Sequence, residues 1–179
     1  MTRKFAGVNY IHFYETPEGF SDLVMGSDGT VLTGLWFLAD GEAESFALAY
    51  PQKDLPVFTE TESWLDIYFE GRDPGFVPEY KLYEVSSFQK EVYAIMNKIP
   101  YGQTMTYGQI AKMIAKNRDV EKMSAQAVGG AVGKNPISII LPCHRVVGAG
   151  GTMTGYGGGL MNKVALLSLE WIAHNPGQK

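Results

Sequence analysis

Residues 124–132 read Ser124-Ala125-Gln126-Ala127-Val128-Gly129-Gly130-Ala131-Val132, and the fold of the second half of the chain turns on them. Serine can accept from the first open N–H groups of a helix, so Ser124 is a candidate N-cap for a helix from Ala125 to about Val132. Nearly every side chain in it is small. Gly129 and Gly130 each cost about 1 kcal/mol relative to alanine inside a helix. A chain carries that cost where something must approach the helix backbone closely, either a second helix or a nucleic-acid groove. Upstream, Thr106-Tyr107-Gly108-Gln109 is a capping box, and Ile110, Met113 and Ile114 follow at helical spacing. Two short helices joined by a charged connection, the second one bare, have the outline of a helix-turn-helix. Most helix pairs bind no DNA, so the outline alone leaves both readings open.

Downstream, Ile137-Ser138-Ile139-Ile140-Leu141 reads as a short buried strand running into Pro142-Cys143-His144-Arg145. A glycine-rich loop spans Gly148 to Gly159. Asn162 then caps a last helix whose apolar residues are Val164, Leu166, Leu167, Leu169 and Trp171. A lone cysteine is most often a small buried hydrophobe. Cys143 has a different setting, at a strand end where a side chain can emerge into a cleft. A proline before it fixes the backbone, and histidine and arginine follow. The thiolate is the reactive form of cysteine, and basic neighbours favour it. Adjacent residues in extended chain point to opposite sides, so His144 reaches the sulfur directly only if the chain turns there. Otherwise a water must bridge them. A histidine acting as base also needs a partner on its far nitrogen. Glu170, acidic in an otherwise apolar helix, is a candidate; a solvated surface carboxylate is the alternative.

The first half has another character. Residues 8–14 and 20–38 read as strands, with a hairpin signal at Ser27-Asp28-Gly29-Thr30. Thr59-Glu60-Thr61-Glu62 is a capping box expected to open a helix carrying Leu65, Tyr68 and Phe69, closed by Gly71 and Pro74. Residues 71–78 look like a linker. Ser86-Ser87-Phe88-Gln89 then starts a helix with Phe88, Val92, Ile95 and Met96 on one face, stopped by Pro100 and Gly102. These signals divide the chain into domains at 1–82 and 83–179. Charge divides the same way. Residues 1–82 hold 5 Lys/Arg against 14 Asp/Glu, and residues 83–179 hold 10 against 5, within a net charge of -4. The second domain is the one that can face a polyanion, though two differently solvated faces would give the same numbers.

Composition sets the outer bounds. With 179 residues, 45% hydrophobic and 19% charged, the chain can bury a real core and is not a disordered one. No apolar run approaches the length of a membrane span, and the N-terminus lacks the apolar stretch of a secretory signal. A cytoplasmic protein without a membrane partner is expected, monomeric by default. One cysteine excludes an internal disulfide and a cysteine-based zinc site. No metal and no cofactor is expected.

Leu141-Pro142-Cys143-His144-Arg145-Val146-Val147 resembles the active-site motif of the O6-alkylguanine-DNA alkyltransferases. The resemblance extends to Tyr107-Gly108-Gln109-Ile110-Ala111, Ala127-Val128-Gly129-Gly130-Ala131, Asn135-Pro136 and Gly155-Tyr156-Gly157-Gly158-Gly159. It covers residues 86–173, and more loosely residues 1–82. It implies an α+β fold. A small β-sheet/helix domain of ribonuclease H-like form would precede a mainly helical, winged-helix-like domain with a helix-turn-helix. It also implies DNA repair, in which the alkyl group of O6-alkylguanine, or of O4-alkylthymine, passes irreversibly from duplex DNA to a cysteine after the base is flipped out. By that resemblance Cys143 is the nucleophile, His144 takes its proton through a water, and Glu170 orients His144. Asn135 holds the cysteine loop, and Tyr107 donates a proton to the departing guanine. The Val146 backbone accepts from the exocyclic amine, and Tyr156, Gly157 and Gly158 line the pocket. Ser124, Gln126, Ala127 and Ala131 meet the minor groove. Two departures stand out. The intercalating arginine of the family falls on Gln126, and the pocket serine of some members falls on Gly157.

Two other functions fit parts of the sequence. A cysteine hydrolase would use Cys143 and His144 but needs its base directly against the sulfur. A non-enzymatic module that senses alkylated bases would fit Gln126, but relatives of that kind lack the cysteine.

Overall fold

A computed structural model describes residues 5–175. Met1–Lys4, most of the stretch read above as lacking a secretory signal, lie outside the described residues, as do 176–179. The fold is mixed α and β, in two units. One runs through Glu84 and takes in Pro136–Ser138; the other comprises Val85–Asn135 and the chain from Ile139 onward.

The first unit is built on three antiparallel strands in chain order, β1 (Tyr10–Tyr14), β2 (Leu23–Ser27) and β3 (Leu32–Phe37). The central strand β2 is buried along its whole length, as a strand covered on both faces must be. Phe13, Val24 and Trp36 are in register across the sheet and share one face with Ile11. That face packs against Phe46 of helix α1 (Glu42–Ala49) and the adjoining Tyr50. His12, Met25 and Leu35 share the other face. There helix α2 (Pro56–Phe69) stacks Phe58 on His12 and Phe69 on Tyr14, at 5.6 and 6.1 Å between ring centres. The Trp36 indole lies so close over Gly34 that an added Cβ would come within 1.7 Å of it, so any side chain there would have to displace the ring. The hairpin signal forms as read, with Asp28 Oδ1 accepting from the N–H groups of Thr30 and Val31 at 2.9 and 3.1 Å.

Three expectations change here. Helix α1 had no sequence signal. Helix α2 begins at Pro56 rather than at the Thr59–Glu62 box. Proline has a helical φ and no N–H to leave unsatisfied, so it starts the helix a turn early. Thr61 then lies inside the helix and donates its hydroxyl to the Val57 carbonyl at 2.7 Å. Residues 71–78 are not the boundary either. Leu32 N–H donates to the Glu79 carbonyl at 3.0 Å, and Lys81 N–H to the Leu32 carbonyl at 2.9 Å, so the chain stays with β3 beyond residue 78. The division falls at 84/85 instead of 82/83.

The second unit packs α3 (Ser87–Met96), α4 (Tyr107–Asn117) and α5 (Ala125–Val132) on one another, followed by α6 (Leu160–His174). Two-residue strands β4 (Met105–Thr106) and β5 (Val146–Val147) pair in parallel. The Thr106–Gln109 capping box forms as read, Ser86 and Gln89 form a second one, and Ser124 accepts from Ala127 N–H as an N-cap. Helix α6 opens at Gly159 and not at Asn162, which sits buried in the first turn and donates to the Gly158 carbonyl at 2.6 Å. Met113, Val164 and Trp171, read as apolar positions of their helices, are exposed. The buried face of α6 is instead Asn162, Lys163, Leu166 and Glu170.

Ile137–Leu141 is buried as expected but is not a strand. Leu35 N–H donates to the Pro136 carbonyl and Ser138 N–H to the Leu35 carbonyl, both at 2.9 Å, making a single parallel bridge at Ile137. Ile139 then takes φ 67°, a left-handed conformation that ends extended chain at once.

Candidate active site

Beyond Ile139 the chain folds into a 3-10 turn, Cys143–Arg145, closed by Arg145 N–H donating to the Pro142 carbonyl at 3.0 Å. This is the turn without which Cys143 and His144 would point apart. Asn135 holds it. Its Nδ2 donates to the Leu141 carbonyl at 2.8 Å and to Cys143 Sγ at 3.0 Å, so one amide fixes both the approach to the turn and the sulfur. Cys143 is 5% exposed. Burial pushes its thiol up, against hydrogen bonds from Asn135 and Tyr156 and the nearby Lys163 ammonium, which favour the thiolate.

His144 is fully buried and sits 2.7 Å from Glu170 Oε1 through Nε2. Burial works against the ionised form of Glu170, but the groups of His144 and Arg145 outweigh it and bring the carboxyl down to about 2. An ionised carboxylate only accepts, so Nε2 carries the ring proton and Nδ1 is the basic nitrogen. Burial also holds the imidazole below its ordinary value; Glu170 pulls it upward, and Arg145 and Lys163 oppose that pull. At neutral pH the pair is therefore a thiol and a neutral imidazole, and the proton has to be moved for the thiolate to appear. Glu170 is the acidic residue singled out from the sequence, and it lies in the core rather than in solvent.

Three contributors have roles that the sequence does not announce, Arg145 reading there only as a basic neighbour of the cysteine. Lys163 is fully buried on α6; its Nζ donates to the Val146 carbonyl at 2.7 Å and reaches the Thr154 carbonyl at 3.4 Å. The same ammonium lies 6.0 Å from the ring centres of Tyr107 and Tyr156. Desolvation lowers the pKa of this amine, and Cys143 in its thiolate form works the other way. Arg145 is the second: its guanidinium binds Glu170. Gly102 is the third, its N–H donating to Glu170 Oε2 at 3.1 Å. The available signal was the spacing Lys163, Leu166, Glu170, which puts two polar residues and a leucine on one helical face.

The remaining candidates divide by placement. Tyr107 opens α4, its hydroxyl 3.4 Å from Thr154 Oγ1. The Val146 carbonyl keeps a second lone pair beside the one taken by Lys163. Tyr156 is half-buried, and Gly157 and Gly158 follow it in the exposed glycine-rich loop. On α5, Ser124, Gln126 and Ala127 are exposed, as is Gly130, which has nothing within 4 Å of where a Cβ would stand. Ala131 leaves this group. It is 4% exposed, and its carbonyl accepts from Tyr93 OH at 3.1 Å. Among the described residues no three His, Cys, Asp or Glu side chains gather as a metal ion requires, and no helix is long and apolar enough to cross a membrane.

Residues 87–172 match the family model described as the DNA-binding domain of 6-O-methylguanine DNA methyltransferase. The chain is 39% identical over 168 residues to the methylated-DNA–protein-cysteine methyltransferase of Haemophilus influenzae, covering 92% of this chain and 88% of that protein. It is 39% identical over 160 residues to the protein of the same name from Mycobacterium leprae, covering 89% and 92%. The crystal structure of Mycobacterium tuberculosis OGT in complex with DNA superposes with a TM-score of 0.76 at 36% identity, over 92% of this chain and 94% of that one. The O6-methylguanine-DNA methyltransferase of Pyrococcus kodakaraensis superposes with a TM-score of 0.64 at 26% identity, over 90% and 98%. A buried cysteine in a turn fixed by asparagine, a histidine–glutamate pair behind it, and this likeness along nearly the whole chain lead to one conclusion: the chain belongs to the methylated-DNA–protein-cysteine methyltransferase family.

Proposed function

We propose that this protein repairs O6-alkylguanine in duplex DNA by moving the alkyl group to Cys143, acting once, as a monomer and without a cofactor. The observation that carries the reading is the only cysteine of the chain, buried, held at Sγ by Asn135, in one turn with a histidine whose Nε2 is engaged by a carboxylate. His144 Nδ1 takes the thiol proton through a water. The thiolate attacks the alkyl carbon; the S–C bond forms as the C–O6 bond breaks, and the electron pair goes to the guanine. Tyr107 donates a proton to the ring, so a neutral base leaves. The product is a thioether, from which no group of this site can recover the thiol.

An alkylated oxygen inside the base stack is out of reach of a buried thiol, so the nucleotide must be flipped into the site. The α4–α5 pair serves as the helix-turn-helix. The exposed face of α5, with Ser124, Gln126, Ala127 and Gly130, has the low profile that a minor groove admits. Gln126 fills the vacated base position. Val146 accepts from the exocyclic amine, and Tyr156, Gly157 and Gly158 form the pocket wall. In fold terms we read the first unit as ribonuclease H-like and the second as winged-helix-like. The test is intact-mass measurement after incubation with a duplex oligonucleotide carrying one O6-methylguanine. Gain of one methyl group per chain with guanine restored is expected. Repaired DNA with an unmodified protein, or turnover beyond one equivalent, overturns the reading.

A further inference from the structure

Glu170 does not serve His144 alone. Oε1 lies 2.7 Å from His144 Nε2, and also accepts from Arg145 Nη2 at 2.9 Å and Arg145 Nε at 3.2 Å. Oε2 accepts from Arg145 Nε at 3.0 Å and from Gly102 N–H at 3.1 Å. Arg145 is itself fixed. Its Nη1 donates to the Ile99 carbonyl at 2.8 Å, and its guanidinium lies 5.6 Å from the centre of the Tyr101 ring. Residues 99–102 can come this near α6 because residue 102 is glycine at φ 74°; a Cβ there would stand 2.8 Å from His174 Cβ. A planar guanidinium clamped at both ends is a fixed charge in a fixed place.

We infer that Arg145 is a positioning residue that acts through Glu170: by sharing the carboxylate with His144, it keeps the imidazole neutral and its basic nitrogen ready for the Cys143 proton. The inference rests on the proposed alkyl transfer. A buried carboxylate facing only a histidine would hold it as imidazolium, in an ion pair that is a poor base. With a guanidinium already on the carboxylate, the ring meets a pair with no net charge and needs only to donate Nε2–H. The other charged or titratable groups around His144 are Cys143 in the same turn and Lys163 on α6. Tyr101 stands behind Arg145, and Tyr107 and Tyr156 stand beside Lys163. None of these supplies a second positive charge to Glu170.

The experiment is the single-turnover rate of alkyl transfer against pH for the wild type, Arg145→Gln and Arg145→Lys, with thermal melting of each. In Arg145→Gln the pull of Glu170 is unopposed, so the acid limb of the profile moves to higher pH. The deficit against wild type is then several-fold larger near about pH 6 than near about pH 8.5. Arg145→Lys restores the charge and keeps the limb in place even if it melts lower. Slowing of Arg145→Gln by one factor at every pH, or an equal limb shift in Arg145→Lys, overturns the inference and leaves Arg145 a structural residue. Should Arg145→Gln fail to fold, 15N NMR of the unmodified protein decides. A neutral, Nε2-protonated His144 near about pH 6 is expected, and an imidazolium there overturns it. Absence of transfer by the wild type would instead sink the proposed function.

Discussion

The first unit closes its core with Leu23, Leu35, Phe58, Leu65 and Tyr68, whereas the second buries His144, Lys163 and Glu170 as completely as any leucine. The two kinds of burial answer to different physics. Apolar contacts are non-directional and add up with area, so no single side chain in the sheet decides what the unit does. Buried polar groups stabilise only when every partner is in place, and a fully satisfied network is then rigid. The sheet is built for stability, and the cluster behind Cys143 holds geometry.

The sharpest way to break that contrast is Cys143→Ala. Alkyl transfer should vanish while the protein remains folded, because the thiol supplies chemistry rather than packing. Labelled alkyl groups appearing on the protein would mean another acceptor exists. Leu65→Ala should do the reverse. It should lower unfolding free energy by roughly 2–5 kcal/mol in denaturant titration and leave the transfer rate of folded protein unchanged. Slower chemistry in that variant would show that the apolar core of the first unit is not confined to stability.

Acid unfolding sharpens the comparison from the polar side. The Glu170 carboxyl is held down at about 2 against an ordinary 4.5, so its stabilisation is complete above about 4.5 and is lost as pH falls through about 2. The loss should amount to roughly 3 kcal/mol. Glu170→Gln, less stable at neutral pH, should show a flatter stability curve across that window, and an unchanged curve would assign the acid limb to other carboxylates. The smallest effect is expected on the open face of α5. Gln126→Ala should slow repair of duplex DNA several-fold and spare reaction with free O6-benzylguanine, which needs no flipping. Equal slowing on both substrates would place Gln126 in the pocket or the fold.

Local chemistry made the second unit legible. Ser86, Thr106 and Ser124 announce their helices because caps are short-range hydrogen bonds, and all three form. The Pro142-Cys143-His144-Arg145 run and its flanking segments led to the family. What escaped was decided at long range. Thr59 lost the start of α2 to Pro56. Ile137–Leu141 looks like a strand by composition, yet a single bridge to Leu35 and the turn at Ile139 leave it irregular. Lys163 escaped notice, and Arg145 reads only as a basic neighbour of Cys143, because the energetics of a buried cation depend on carbonyls and a carboxylate that sequence spacing does not bring into view.

Pro136–Ser138 has a consequence for how the molecule can be divided. The chain leaves the second unit after Asn135, lends its backbone to Leu35 of β3, and returns at Ile139, a few residues ahead of Cys143. The two units are thus interleaved rather than strung end to end. No single cut yields both whole: a break at 84/85 deprives β3 of its bridge. Split reporters or domain-swapped chimeras made from this protein would have to carry that excursion with the first half. A fusion joined at the charge boundary should be the poorer one to express.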